Sequence, residues 1–505
     1  MSDRTLLDFS DASLWFSENQ SPFEIVAGRQ SAKALRARLT TKPEWSNVIC
    51  DKVPPDWSTH PFLNLDVFVE GPHRALLGMW VKDTANRRDT RFFELEPGAQ
   101  TISVRLAELN AEKTLLDLKH IKAICLFRGW PRWPAEVILR FENLRLSERD
   151  QSTMEPPPVT PETLKAHFQP PAELAHDFAG LKSPLIFNDG RRVKSPAEWP
   201  ERRREILQTW HSIMGRWPAI IEKPAVETVA TERREDFTQH TVRIAAGMRQ
   251  PTNGYLLVPD KPAPRPAVLL VYYEPETAAG LKGITTRAFA YHLVKRGFIA
   301  LSIGEQPITR NENYLRDDQE PFVQPLSYLA YVAANCCNAL ANMPSVDPAR
   351  IGVMGHSYGG KWSMFASCLY EKFACGVWCD GWFIFDEACN NVNYWDACYL
   401  GREKGSLRPH CPLSEKHPRT GAYKTLIERG HNLHELHALM APRPFLVSGG
   451  SEDFPARWPV LNHAIEVNRF LGYEGRVGMT NRAQHGPTET SNDQAFLFFE
   501  TVLKP

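Results

Sequence analysis

The chain has no excess of charge of either sign: its 505 residues carry 59 Lys+Arg and 59 Asp+Glu. A neutral chain has no general field to hold nucleic acid or an anionic membrane. It also lacks long apolar runs. No window approaches the ~18 unbroken apolar residues of a membrane-spanning helix, and the longest runs, such as Ala267 to Tyr273, suit a buried strand. The opening MSDRTLLDFSDASLWF puts charges where a secretory leader needs an apolar stretch. A native start at Met1 therefore implies a cytoplasmic protein, and a removed leader a periplasmic or secreted one. Cysteine is sparse, ten in all, too few for a disulfide scaffold. Eight of the ten lie between Cys336 and Cys411 without zinc-ligand spacing, and read as buried thiols. A phosphate-cradling G-x-x-x-x-G-K-[ST] loop and a dinucleotide fingerprint are both missing. His431-Asn-Leu-His434-Glu-Leu-His437 lacks the H-E-x-x-H spacing that puts two imidazoles on one helical face. No metal and no cofactor is expected.

What is present is ordinary globular material: 43% hydrophobic and 23% charged residues, enough for several cores. The 40 prolines and 14 tryptophans point to structured loops and to surfaces that stack on flat ligands. Residues 1–150 read as an all-β sandwich. Leu63 to Val69 alternates apolar and polar residues, the period of a half-buried strand. Ala75 to Val81, Arg91 to Leu95, Thr101 to Leu106, Ile121 to Phe127 and Glu136 to Leu144 are further strands between turn-forming clusters. Residues 151–184 are proline-dense and read as a semi-rigid connector without a core of its own. A polar helix follows, capped at Ser195-Pro196, with Arg202, Arg203, Arg204 and Glu205 on exposed faces. From about residue 237, strands and helices alternate. That pattern implies a mostly parallel sheet with helices on both faces, an α/β domain over 185–505.

The strongest local signal is Gly355-His356-Ser357-Tyr358-Gly359-Gly360, between the apolar strand Ile351 to Met354 and a helix. This is the context of a nucleophile elbow. Small residues flank a serine on a sharp strand-to-helix turn, and the next N–H points toward a developing oxyanion. A serine nucleophile needs a base, and the base an orienting acid. In such folds the chain order is Ser, acid, His. His485, in Arg482-Ala-Gln-His485-Gly-Pro487, fits the base. Asp453, in the loop after Leu446 to Ser448, is the preferred acid; Glu452 and Asp380 compete with it. Oxyanion donors are expected at Tyr358 and, from the loop after Ala267 to Tyr272, at Tyr273. Lys361 lies one helical turn after the serine, on the same face, where it could hold a sugar hydroxyl or a carboxylate. Trp382 and Trp395, in the long 381–423 insertion, are candidates to line a pocket.

These residues carry a resemblance. From about 185 to 505 the chain resembles α/β-hydrolase carbohydrate esterases, nearest the glucuronoyl esterases and similar to acetyl xylan esterase-like hydrolases. The resemblance rests on Asp189-Gly-Arg-Arg-Val193, Trp199, Arg202 to Ile206, Met214-Gly215 and Pro218, on Gly355-His356-Ser357 with Gly360-Lys361, and on Ala441-Pro-Arg-Pro444. It implies a serine esterase that cleaves an acetyl or uronate ester on a carbohydrate, with Lys361 contacting the sugar. It also puts Asp380 where those enzymes often carry their catalytic acid. One departure stands out: Tyr358 follows the serine, where glucuronoyl esterases usually have Arg. Residues 1–150 resemble jelly-roll modules of the galactose-binding type, through Asp8-Phe-Ser-Asp11 and the closing strand Val137 to Leu146. Two rival functions remain at this stage. One is a peptidase of the prolyl-oligopeptidase type, whose propeller 150 residues cannot supply. The other is a non-catalytic hydrolase-fold binding protein, which would usually have lost a triad residue.

Overall fold

A computed structural model describes residues 3–504, apart from 8, 30, 41–45, 74, 112–113, 129–135, 153–158, 249, 284, 305–321, 390–391, 406–409 and 483. Part of the Asp8 to Asp11 motif and the centre of the proline-rich stretch therefore lie outside the described residues. The chain divides into two compact units, 1–157 and 158–505.

In the first unit, alternation dictates the architecture. Leu63, Leu65, Val67 and Val69 point inward from the strand Phe62–Glu70, as do Leu35, Ala37 and Leu39 from Lys33–Thr40. Those strands belong to one antiparallel sheet, ordered Phe23–Ala27, Lys33–Thr40, Glu136–Ser147, Phe62–Glu70, Gly98–Arg105. A second antiparallel sheet runs Trp15–Phe16, Asn47–Cys50, Ile121–Arg128, Ala75–Asp83, Arg88–Leu95. Leu77, Met79 and Leu126 of this sheet share one core with Leu35, Val67 and Phe141 of the other.

The second unit is built on nine strands: β1 (Val226–Arg234), β2 (Phe237–Ile244), β3 (Thr252–Pro259), β4 (Arg265–Tyr272), β5 (Ile299–Gly304), β6 (Val346–His356), β7 (Cys375–Cys379), β8 (Phe445–Ser448) and β9 (Val477–Thr480). Their order is β1-β2-β3-β5-β4-β6-β7-β8-β9. The strands from β5 through β9 along this order are parallel, and the β1–β3 end is antiparallel. Because both faces are covered, the central strands are apolar throughout. In β4, Ala267, Leu269 and Val271 enter one core, shared with the helices Pro325–Ala341, Tyr358–Leu369 and Trp458–Phe470. Val268 and Leu270 enter the opposite core, under Phe289–Lys295 and Glu489–Leu503.

Two expectations need correction here. Residues 159–184 are not a connector without packing. Phe168 stacks on Phe498 with ring centroids 5.8 Å apart, His167 O accepts from Met479 N (2.9 Å), and Asn462 Nδ2 donates to Leu174 O and Asp177 O. The apolar residues between the prolines anchor the segment on the second unit. Likewise Arg202 is not exposed. It is buried under its helix, donating from Nε to Pro184 O at 2.9 Å and pairing with Glu205. Among the described residues, no helix is long and apolar enough to cross a membrane.

Candidate active site

Strand β6 ends at His356, Ser357 makes the turn at φ +59°, and the helix Tyr358–Leu369 begins at once. A non-glycine residue in this region of φ is strained, and the glycines around it make the turn sterically feasible. A Cβ on Gly359 would lie 2.1 Å from Val271 O, and one on Gly355 2.2 Å from Gly359 O. These contacts are with backbone, which cannot step aside. Gly359→Ala is therefore expected to cost about 3 kcal/mol or more in stability, read by chemical denaturation. An unchanged midpoint would show that the helix can tilt away from β4.

The Ser357 hydroxyl, only 8% exposed as a residue, lies 2.9 Å from His485 Nε2. The other ring nitrogen, Nδ1, is 2.6 Å from Asp380 Oδ2. A carboxylate accepts, so Nδ1 carries the proton and Nε2 is left to accept from the serine. Asp380 follows β7 at φ +49° and is fully buried. A Cβ on Gly450 would lie 2.6 Å from Asp380 Oδ2, so a glycine is needed beside the carboxylate.

Asp453, the acid preferred from sequence, does something else. Its Oδ2 accepts from Trp382 N (2.8 Å) and its Oδ1 from Phe383 N (3.1 Å), while its own N–H donates to Asp380 Oδ1 (2.8 Å). It is the residue beneath the Asp380 loop rather than the partner of His485. Burial, and then the charge of Asp380, push its carboxyl up to about 6. Glu452 is also occupied, accepting from Trp382 Nε1 at 2.9 Å.

The His485 loop is held by two residues that sequence reasoning did not assign. Arg482 is buried and donates to Ser448 O (2.9 Å), Gly449 O (2.8 Å), Gly486 O (2.6 Å) and His485 O. One guanidinium fork thus ties the end of β8 to the histidine loop. His356 Nε2 lies 2.9 Å from His485 O, so it donates there, and the two imidazole centroids are 4.7 Å apart. Burial, and then the His485 charge, hold His356 well below the ordinary histidine value. It is a neutral prop of the His485 loop. Both residues were visible in the quoted motifs, yet only their tertiary partners reveal these roles.

The remaining candidates separate. Tyr358 is the first residue of its helix, and a first-turn N–H has no intrahelical acceptor. The parallel register pairs Val271 with Gly355, each two residues before Tyr273 and Ser357 respectively. The Tyr273 ring stacks on Tyr358 at 5.4 Å. Trp382 packs against His485, centroids 5.3 Å apart, and so borders the site. Lys361 is 0% exposed. Its ammonium lies 3.6 Å from the Trp382 ring centroid and 4.5 Å from that of Tyr394. It sits in an aromatic cage instead of the open cleft, and burial lowers its pKa well below the usual range. Trp395 does not line a pocket: it is buried, its Nε1 donates to Cys411 O (2.9 Å), and its ring meets Tyr423 edge-on. The histidines of 431–437 are taken up in packing. His431 pairs with Glu435 at 2.8 Å and His434 Nε2 donates to Lys182 O. Among the described residues, no group of metal-ligating side chains comes together.

No known family profile matches the chain, and no curated protein matches it. Solved structures do. A glucuronoyl esterase from Solibacter usitatus matches with a TM-score of 0.52 and 19% identity, over 63% of this chain and 97% of that one. A CE15 glucuronoyl esterase from Teredinibacter turnerae matches with a TM-score of 0.50 and 18% identity, over 64% of this chain and 88% of that one. The fold is that of the α/β-hydrolases. Its parallel strands deliver Ser357, Asp380 and His485 from the carboxyl ends of β6, β7 and β9, the edge of an open α/β sheet where ligands bind.

Proposed function

We propose that this chain is a serine esterase that hydrolyses an ester on a carbohydrate through an acyl-enzyme. The observation that carries the reading is the continuous hydrogen-bonded line from Ser357 Oγ through His485 to Asp380 Oδ2. As His485 Nε2 takes its proton, Ser357 Oγ attacks the ester carbonyl carbon. Asp380 holds the imidazolium that forms. The carbonyl oxygen becomes an oxyanion, for which the N–H groups of Tyr358 and Tyr273 are the donors, worth about 3 kcal/mol each. Collapse expels the alcohol, which takes the proton from Nε2. Water then repeats the sequence on the acyl-serine and releases the acid. No step calls for a metal or an organic cofactor.

The glucuronoyl esterase likeness in fold and the aromatic border at Trp382 support a sugar ester, acetyl or uronate. In this reading Trp382 borders the bound ester beside His485, and Lys361 supports that indole by cation–π contact. Residues 1–150 would be a jelly-roll-like, carbohydrate-binding module. Turnover of short p-nitrophenyl esters without cleavage of peptide substrates separates the esterase from a peptidase and from a non-catalytic binding protein. A panel of acetylated and uronate-esterified glycans then names the substrate. Lys361→Met keeps the buried stem and removes the charge. It is expected to lower kcat/KM on the preferred glycan ester about tenfold, and on p-nitrophenyl acetate much less. Equal losses on both would mean that Lys361 supports the elbow and not the Trp382 border.

A further inference from the structure

Arg287 stands beside the catalytic histidine loop with no paired carboxylate among the described residues. It lies in the segment leading into the helix Phe289–Lys295, which follows β4 and returns toward β5. This segment rests on the last helix, where Asn492 Nδ2 donates to Thr286 O at 2.7 Å. A Cβ on Gly486, the residue after His485, would lie 3.8 Å from Arg287 Nη2. The guanidinium is half-buried, and among the described residues no carboxylate lies within ion-pair distance of it. Three acids of the surrounding elements are engaged elsewhere: Glu274 with Lys282, Asp493 with Arg296, and Asp380 with His485.

The charge of Arg287 is felt inside the site. After burial and the His485 charge, it is the next influence opposing protonation of His356. At Tyr272 it acts against the dominant effect of burial, which raises that phenol. The other cation here, Arg482, spends its donors on backbone carbonyls. A substrate that brought its own negative charge to Arg287 would gain a charge-assisted hydrogen bond.

We propose that Arg287 is an anion-recognition residue of this site, and that the substrate is an ester bearing a free carboxylate, as an acidic sugar esterified through one of its hydroxyls does. The proposal rests on the esterase reading above. It assigns the carboxylate to the guanidinium fork, whose planar donors match it in a bidentate pair.

Two pairs of probes differing in charge test it. 4-Nitrophenyl hemisuccinate against 4-nitrophenyl butyrate puts the carboxylate on the acyl side. 4-Acetoxybenzoate against its methyl ester puts it on the alcohol side. Wild type is expected to favour the anionic member of at least one pair in kcat/KM. Arg287→Met should lower that anionic-to-neutral ratio about tenfold or more, the worth of one charge-assisted bond, and Arg287→Lys should restore part of it. Should Arg287→Met fold poorly, the wild-type preference itself should shrink between low and high ionic strength, as an exposed charge contact is screened. Ratios indifferent both to Arg287→Met and to salt, with neutral esters still hydrolysed, would overturn the proposal and leave the esterase standing. Failure to hydrolyse any of the four esters, with no fluorophosphonate labelling of Ser357, would overturn both.

Discussion

Ser357→Ala is expected to lower kcat by about 10⁶-fold, the scale seen when a triad nucleophile is removed, while the fold survives. The side chain's hydrogen bond is with His485 Nε2, so its loss leaves no buried backbone group unpaired. The turn keeps its own bond, Ser357 N to Cys379 O at 2.9 Å. Alanine bears the same strain at φ +59° as serine does, so the melting temperature should hardly move. Ser357→Gly should be equally inactive and more stable by about 1 kcal/mol, because glycine adopts that conformation freely. A fluorophosphonate should label the wild type at Ser357 Oγ, with fluoride as the leaving group, and neither variant. Undiminished ester turnover by Ser357→Ala would end the serine-hydrolase reading.

That Ser357 and His485 come together was legible in the sequence because local sterics encode it. Three glycines within six residues, between an apolar strand and a helix, admit few other structures, and His485 follows the last strand. The carboxylate that meets His485 was not legible in the same way. Asp380 and Asp453 both lie beyond neighbouring strands, β7 and β8, which run parallel with Cys379 level with Ser448. Which carboxylate meets the imidazole depends on the positive φ of Asp380 and on the space left beside Gly450. Neither shows in hydrophobic pattern or spacing. Lys361 illustrates a related limit. Helical periodicity gave its face correctly, but not that Tyr394 and Trp382 of the 381–423 insertion would close over it. Trp395, a candidate to line a pocket, is instead buried, and its indole N–H finds a backbone acceptor inside the fold. Strand β1 had no signal to read, since most of its side chains are exposed on both faces. Lys33–Thr40 did carry the two-residue period, Leu35, Ala37 and Leu39 inward against Arg36 and Arg38, and went unrecognised.

The two acids make the sharpest remaining test, because the structure gives them different work. Asp380→Asn is expected to cost about 10⁴-fold in kcat, with KM little changed. An amide facing His485 Nδ1 can present its N–H₂, which stabilises the tautomer protonated at Nε2. That nitrogen then points a proton at Ser357 Oγ and cannot take one. It also leaves the imidazolium without its counter-charge. Asp453→Asn acts one step further out. A neutral amide has a single oxygen for the N–H groups of Trp382 and Phe383, so one of them loses its acceptor and the Asp380 loop loosens. Asp453 is a positioning residue, and a loss of about 10- to 100-fold in kcat is expected, the scale of removing a supporting partner. Its pH behaviour distinguishes it further. The folded carboxyl titrates near 6 and the unfolded one near 3.8, so between those values the folded state binds more protons. Stability contributed by this group is therefore fully present below pH ~4 and is lost as pH rises through ~6. Asp453→Asn should flatten that slope in a denaturation series across pH 4 to 7, whereas Asp380→Asn leaves Asp453 buried, removes the charge that helps raise it, and should shift the slope toward lower pH. A greater kinetic loss in Asp453→Asn than in Asp380→Asn would return the catalytic acid to the loop after β8. Restoration of Asp380→Asn activity to near wild type at high pH would instead show that hydroxide bypasses the histidine, leaving the oxyanion donors to carry the residual rate.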